Sequence, residues 1–163
     1  MDLILIRHAD AAPADGYSDD ALRPLTARGR REQEAVTRTL AKMQLRPHRI
    51  LCSPRVRAYQ TAEITALGLG MELPEEHGVL DGGYSAAQLV EALQEYPADQ
   101  TICCVGHEPD ISTWTAELLA PGAGVRIHVS KGGVLGLSFA ASAAPGKGTL
   151  EFFYRAADLA RLV

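Results

Sequence analysis

The chain has 163 residues, of which 47% are apolar and 22% charged, enough for one soluble domain around a single core. A formal net charge of -4 speaks against general nucleic-acid binding, and no apolar run approaches the roughly 20 residues of a membrane span. Asp2 stands where a signal peptide would be basic, and Arg7-His8 interrupts the first apolar run, so a cytoplasmic location is expected.

Residues 2–8 read as a short buried strand, and the Ala-, Asp- and Pro-rich residues 9–25 as a loop. Thr26 is a suitable cap for a helix to about Leu45. Residues 49–52 form a second strand. Pro54 then opens a helix to about Leu67, where Gly68 and Gly70 stop it. A short strand over 71–75 is expected. Ser85 caps a helix to about Tyr96, closed by Pro97. Residues 101–105 are an apolar strand, and Pro109 opens a helix to about Leu119. Strands follow over 125–129, 134–139 and 150–154, the last two joined by a turn at Pro145-Gly146-Lys147-Gly148, and a short helix over 156–162 ends the chain. This alternation predicts an α/β fold, a three-layer α/β/α sandwich with a mainly parallel central sheet and an antiparallel edge, built as one domain over 1–163.

Of the three cysteines, Cys103 and Cys104 are neighbours in one strand, so they point to opposite faces and lie too close for a disulfide. Cys52 has no obvious partner. Buried, reduced thiols are expected, and nothing has metal-ligand spacing.

Three strands end in polar residues able to handle a phosphoryl group. The first ends in Arg7-His8, the second in Ser53-Pro54-Arg55-Val56-Arg57 and the third in Gly106-His107. If the strands are parallel neighbours, these ends share the carboxyl rim, where open α/β sheets bind ligands. Arginine is shaped to hold phosphate by two parallel hydrogen bonds, and histidine can act as nucleophile or proton carrier near neutral pH.

Arg7-His8-Ala9 resembles the Arg-His-Gly signature of the histidine phosphatase superfamily. Residues Ser53 to Ala62 resemble its second motif, Ser-x-x-x-Arg-Ala-x-x-Thr-Ala, and Val105-Gly106-His107 its late Gly-His motif. The short length and Leu22-Arg23-Pro24-Leu25-Thr26-x-x-Gly29 are most similar to the SixA-type phosphohistidine phosphatases. The resemblance implies that His8 attacks phosphorus and becomes a phosphohistidine intermediate. Arg7, Arg57 and His107 would grip the phosphoryl oxygens, and neither a metal nor another cofactor is required. Motif spacing selects Arg57; Arg55 then belongs to the rim or surface. Arg23 either reaches the pocket rim or makes a salt bridge. The implied substrate is a phosphohistidine on a signalling protein, such as a His-containing phosphotransfer domain. Small phosphate esters, or a non-catalytic phosphate-binding module on the same fold, are the alternatives.

A leaving alkoxide needs a proton donor. Asp81, before Gly82-Gly83, is the first candidate, with turn formation as its other reading; Asp19 and Asp20 follow. A leaving imidazole relaxes the demand. Ala9 departs from the commonest signature and requires an ordinary φ. His48, His77 and His128 are expected to be non-catalytic. Arg28, Arg30 and Arg31 read as a solvated helix face, and Trp114 as helix core.

Overall fold

The computed structural model describes residues 1–162. The described residues form six strands and five α-helices, alternating up to β5: β1 (Asp2–Arg7), α1 (Ala27–Lys42), β2 (Arg49–Cys52), α2 (Val56–Leu69), β3 (Glu75–Glu76), α3 (Ala86–Leu93), β4 (Thr101–Gly106), α4 (Asp110–Leu119), β5 (Val134–Ser138), β6 (Thr149–Tyr154) and α5 (Ala156–Leu159). They form one sheet in the order β3-β2-β4-β1-β5-β6. The first four strands are parallel, and β5 runs antiparallel to both β1 and β6. The expected α/β/α sandwich with an antiparallel edge is therefore present.

Strand alternation builds the two interiors. Leu3 and Leu5 of β1 face Leu89 and Leu93 of α3 and Ile111, Trp114 and Leu118 of α4. Ile4 and Ile6 face α1, α2 and α5. Cys103 and Cys104 divide between these two cores as their adjacency requires, and all three cysteines are buried free thiols. The Ala58, Ala62, Ala66 stripe brings α2 close to the sheet.

Several boundaries differ from expectation. The first helix ends at Lys42, because Gln44 takes a left-handed φ of 58° and Leu45 N–H folds back to the Leu40 carbonyl. Pro54 lies outside α2, which Arg55 precedes. Gly68 does not stop that helix; Gly70 does, at φ 67°. Gly68 instead lets α2 approach α1, since a Cβ there would lie 2.4 Å from Thr37 Cγ2. The third helix ends at Leu93. The strand expected over 71–75 is reduced to Glu75–Glu76, beside β2. Residues 125–129 form no strand: β5 already occupies the free edge of β1, and Val129 is instead buried with its carbonyl bonded to Arg7. No helix among the described residues is long and apolar enough to cross a membrane.

Candidate active site

Sheet register assembles the site. Arg7 pairs with Gly106 across β1 and β4, so His8 and His107 follow side by side. His8 N–H continues the ladder to the Gly106 carbonyl at 3.0 Å, and the two imidazoles have centroids 5.2 Å apart. Ser53 extends β2 alongside, its N–H on the Val105 carbonyl at 3.0 Å. The three strand ends thus share the carboxyl rim, in a cleft of ≈ 370 Å³. Arg7, His8, Arg23, Arg55, Arg57 and His107 line it, facing the Asp81–Gly83 and Glu108–Asp110 segments.

His8 is buried and oriented. Its Nδ1 donates to the Ala9 carbonyl at 2.8 Å, which leaves Nε2 as the unprotonated nitrogen of the neutral ring. Burial pushes its pKa down to about 4; the Ala9 carbonyl opposes this, while Arg57, Arg7 and Lys131 act in the same direction as burial. Ala9 has an ordinary φ. Its N–H bonds Thr61 Oγ1 at 3.0 Å, and Thr61 in turn donates to the Arg57 carbonyl at 2.7 Å. One α2 threonine therefore sets the segment after His8 against the turn that carries Arg57.

The threonine and glycine of the early motif act on the same segment from α1. Thr26 Oγ1 caps α1 at Gly29 N–H and donates to Asp10 Oδ2 at 3.0 Å. A Cβ at Gly29 would lie 2.1 Å from the Asp10 carbonyl oxygen, so only glycine allows this approach.

The cationic and imidazole residues that line the cleft are largely buried and hydrogen-bonded to the protein. Arg7 Nη1 donates to Val129 O at 2.8 Å. The Arg57 side chain is only 5% exposed, and its Nη1 and Nη2 donate to Asp20 O at 2.7 Å and Asp20 Oδ2 at 2.9 Å. His107 Nε2 bonds Ser53 Oγ at 2.8 Å. Burial pushes His107 down to about 3, with His8, Arg57 and Arg55 adding to the shift and Asp81 opposing it. Arg7 Nε, Arg57 Nε and His107 Nδ1 are all buried without a partner among the described residues. Buried polar nitrogens are normally bonded, so three unpartnered ones on residues lining one cleft suit it to an anion.

The carboxylates considered as acids are all engaged in other hydrogen bonds. Asp81 Oδ1 accepts from Arg55 Nε at 2.7 Å and from Ser53 Oγ at 3.4 Å. Asp20 is held below the usual carboxylate range, first by the Arg57 hydrogen bond and further by Arg23. Asp19 caps the short turn 20–22. Arg55 lies on the cleft wall, joined to Asp81 and Asp20, and Arg23 both lines the cleft and pairs with Asp20 at 2.7 Å.

Four supporting residues were not singled out from sequence. Ser53 holds His107, and Thr61 holds the segment after His8; both sit inside the second motif, which was the available signal. Asp110 accepts from Gly83 N–H at 2.7 Å and, with Trp114 Nε1 on the Tyr84 carbonyl, fixes the 81–84 loop. Lys131 pairs with Asp10 at 2.7 Å and reaches His8 electrostatically; no local pattern announces it. Elsewhere, His48 Nδ1 accepts from Thr101 N–H on the opposite rim, and His77 caps the turn 78–80. His128 lies on the exposed segment before β5, in a neighbouring groove that shares Arg7.

A three-layer fold with paired imidazoles and arginines on one strand rim defines a phosphoryl-handling class of enzyme. The histidine phosphatase superfamily (branch 1) model matches residues 3–99, and the chain belongs to that superfamily of phosphatases. It is 33% identical over 129 residues to phosphohistidine phosphatase SixA of Escherichia coli K12, covering 75% of this chain and 76% of that one. In fold it matches a protein histidine phosphatase SixA complexed with tungstate, with TM-score 0.80, 24% identity and coverage of 98% and 99%. A phosphoserine phosphatase of Entamoeba histolytica in complex with phosphoserine shares the fold at TM-score 0.70 and 17% identity, covering 95% and 97%.

Proposed function

We propose that the protein removes the phosphoryl group from phosphohistidine on another protein, through a covalent intermediate on His8. The observation that carries this reading is the bond from His8 Nδ1 to the Ala9 carbonyl, which leaves Nε2 unprotonated beside Arg7, Arg57 and His107. His8 Nε2 attacks phosphorus and the phosphorus–nitrogen bond to the substrate imidazole breaks. The released ring takes a proton from water. A water molecule then attacks the phosphohistidine, inorganic phosphate departs, and the His8 ring is restored. Arg7, Arg57 and His107 hold the equatorial oxygens throughout, because the charge resides there along the path.

The occupied oxygen of Asp81 and the arginine-bound Asp20 favour a substrate with a good leaving group. That agrees with the similarity to SixA. A His-containing phosphotransfer domain is the expected kind of partner. The buried free cysteines fit a reducing cytoplasm. Phosphate esters form the second reading, favoured by the fold shared with a phosphoserine phosphatase.

The test compares turnover of a phosphorylated His-containing domain with a panel of small esters. The phosphorylated domain is expected to be preferred, and a clear preference for an ester overturns the substrate. An acid-labile phosphoryl group is expected on the wild-type protein and absent from His8→Ala. Its absence from both would reduce the protein to a phosphate-binding module.

A further inference from the structure

We propose that Asp20 is an internal competitor for the phosphoryl group, a carboxylate lying on the outer arginines that the incoming anion must displace. The proposal rests on the phosphatase reading above and adds a determinant of which anions are accepted.

The Asp20 carboxylate meets three guanidinium groups at once. It accepts from Arg23 Nε at 2.7 Å, Arg57 Nη2 at 2.9 Å and Arg55 Nη1 at 3.1 Å. Its own carbonyl takes Arg57 Nη1 at 2.7 Å. Both terminal nitrogens of Arg57 are therefore engaged by this one residue. The deeper nitrogens, Arg7 Nε, Arg57 Nε and His107 Nδ1, have no such partner among the described residues. The site is thus divided: its deeper nitrogens are buried without a partner, and its outer wall is already neutralised.

The loop that carries Asp20 is built to let go. Residues 13–20 are all exposed, and Leu22 is 58% exposed. Apart from bonds within residues 12–24, residues 13–22 are hydrogen-bonded to the remaining described residues only through Asp20, at Arg55 and Arg57. Asp20 is itself half-exposed, at 48% of its side chain, so its pairs with Arg23 and Arg55 are screened and modest, and only Arg57 beneath it is buried. A phosphoryl group brings up to two charges and three acceptor oxygens to the same donors, where Asp20 brings one charge. Dianionic terminal phosphoryl groups can therefore displace Asp20, while carboxylates and phosphodiesters, with a single charge, compete poorly.

Tungstate is the probe, with its affinity measured calorimetrically on the full chain. Asp20→Asn keeps the shape and removes the charge, and Asp20→Ala removes the side chain. Both are expected to bind tungstate about three- to tenfold more tightly than wild type, the range set by losing one or more partly exposed ion pairs. Unchanged or weaker binding by both variants overturns the proposal and makes Asp20 a support for Arg57. Chymotrypsin supplies the second readout, at Tyr17 and Leu22. Saturating tungstate is expected to speed cleavage of the wild-type loop, whereas Asp20→Asn is cut rapidly with or without the anion. Slower or unchanged cleavage of wild type with tungstate overturns the displacement. Tighter binding by the variants without any phosphoenzyme on wild type would keep the competitor and remove the phosphatase reading. The reverse pattern would remove only the competitor.

Discussion

The two ends of the parallel strands carry different chemistry. At the amino ends, Asp2, Leu3, Ile4, Thr101, Gly136 and Phe152 line a cavity of ≈ 510 Å³. At the carboxyl ends the cleft is smaller, ≈ 370 Å³, yet holds two imidazoles and four guanidiniums. Size does not mark the site. Strand polarity does, because successive βαβ units return every parallel strand with its carboxyl end on the same rim. Residues placed just after β1, β2 and β4 meet there without any further device.

The sharpest way to break this contrast is to remove His8, the proposed nucleophile. His8→Ala is expected to lower turnover at least about a thousandfold. Residual turnover near wild type would move the chemistry away from the carboxyl rim. Next come the groups proposed to hold the anion. Arg57→Ala and Arg7→Ala are each expected to cost about 10²–10³ in kcat, or roughly 2.7–4 kcal/mol, by analogy with an oxyanion donor. A variant that keeps wild-type kcat loses its assigned role.

A third effect is read from pH. The free-enzyme value of about 4 for His8 means the ring is neutral, and able to attack, at every pH above that. Phosphoenzyme formation under kcat/KM conditions should therefore keep its His8-dependent plateau down to about pH 4. Below that it should fall about tenfold per pH unit, as protonation removes the lone pair on Nε2. An acid limb near 6.5 belonging to His8 would show that burial does not govern its ring.

The smallest change in activity is expected at the other end. A Cβ at Gly136 would lie 2.3 Å from Phe152 Cε1. Gly136→Ala should cost about 1–3 kcal/mol of stability in denaturant unfolding, with turnover per folded molecule unchanged. Loss of turnover in the folded variant would tie the two rims together.

Much of this contrast was legible in the chain itself. Arg7-His8, Ser53 to Arg57 and Gly106-His107 each close an apolar run, and apolar runs that short mark buried strands. The partners of those residues were less legible, because they depend on long-range packing. Asp81 lies near its expected loop position, yet its oxygen goes to Arg55, 26 residues away. Lys131 is 121 residues from the Asp10 it pairs with. The strand expected over 125–129 failed for a related reason: its apolar residues are of the right kind, but β5 already holds the edge of β1. Gly68 illustrates the local limit, since helix termination and close helix packing both call for glycine, and only the position of Thr37 separates them.

The pairing of Arg7 with Gly106 also limits which length changes this protein can tolerate. The histidines stay together because each follows its register partner by one residue. A one-residue insertion within β1 or β4 would turn the following imidazole to the opposite face of the sheet. Within residues 13–20, exposed and free of β-pairing, the same insertion leaves that pairing intact. Lineages of this fold should therefore vary in length at the early loop while keeping both strands at constant length.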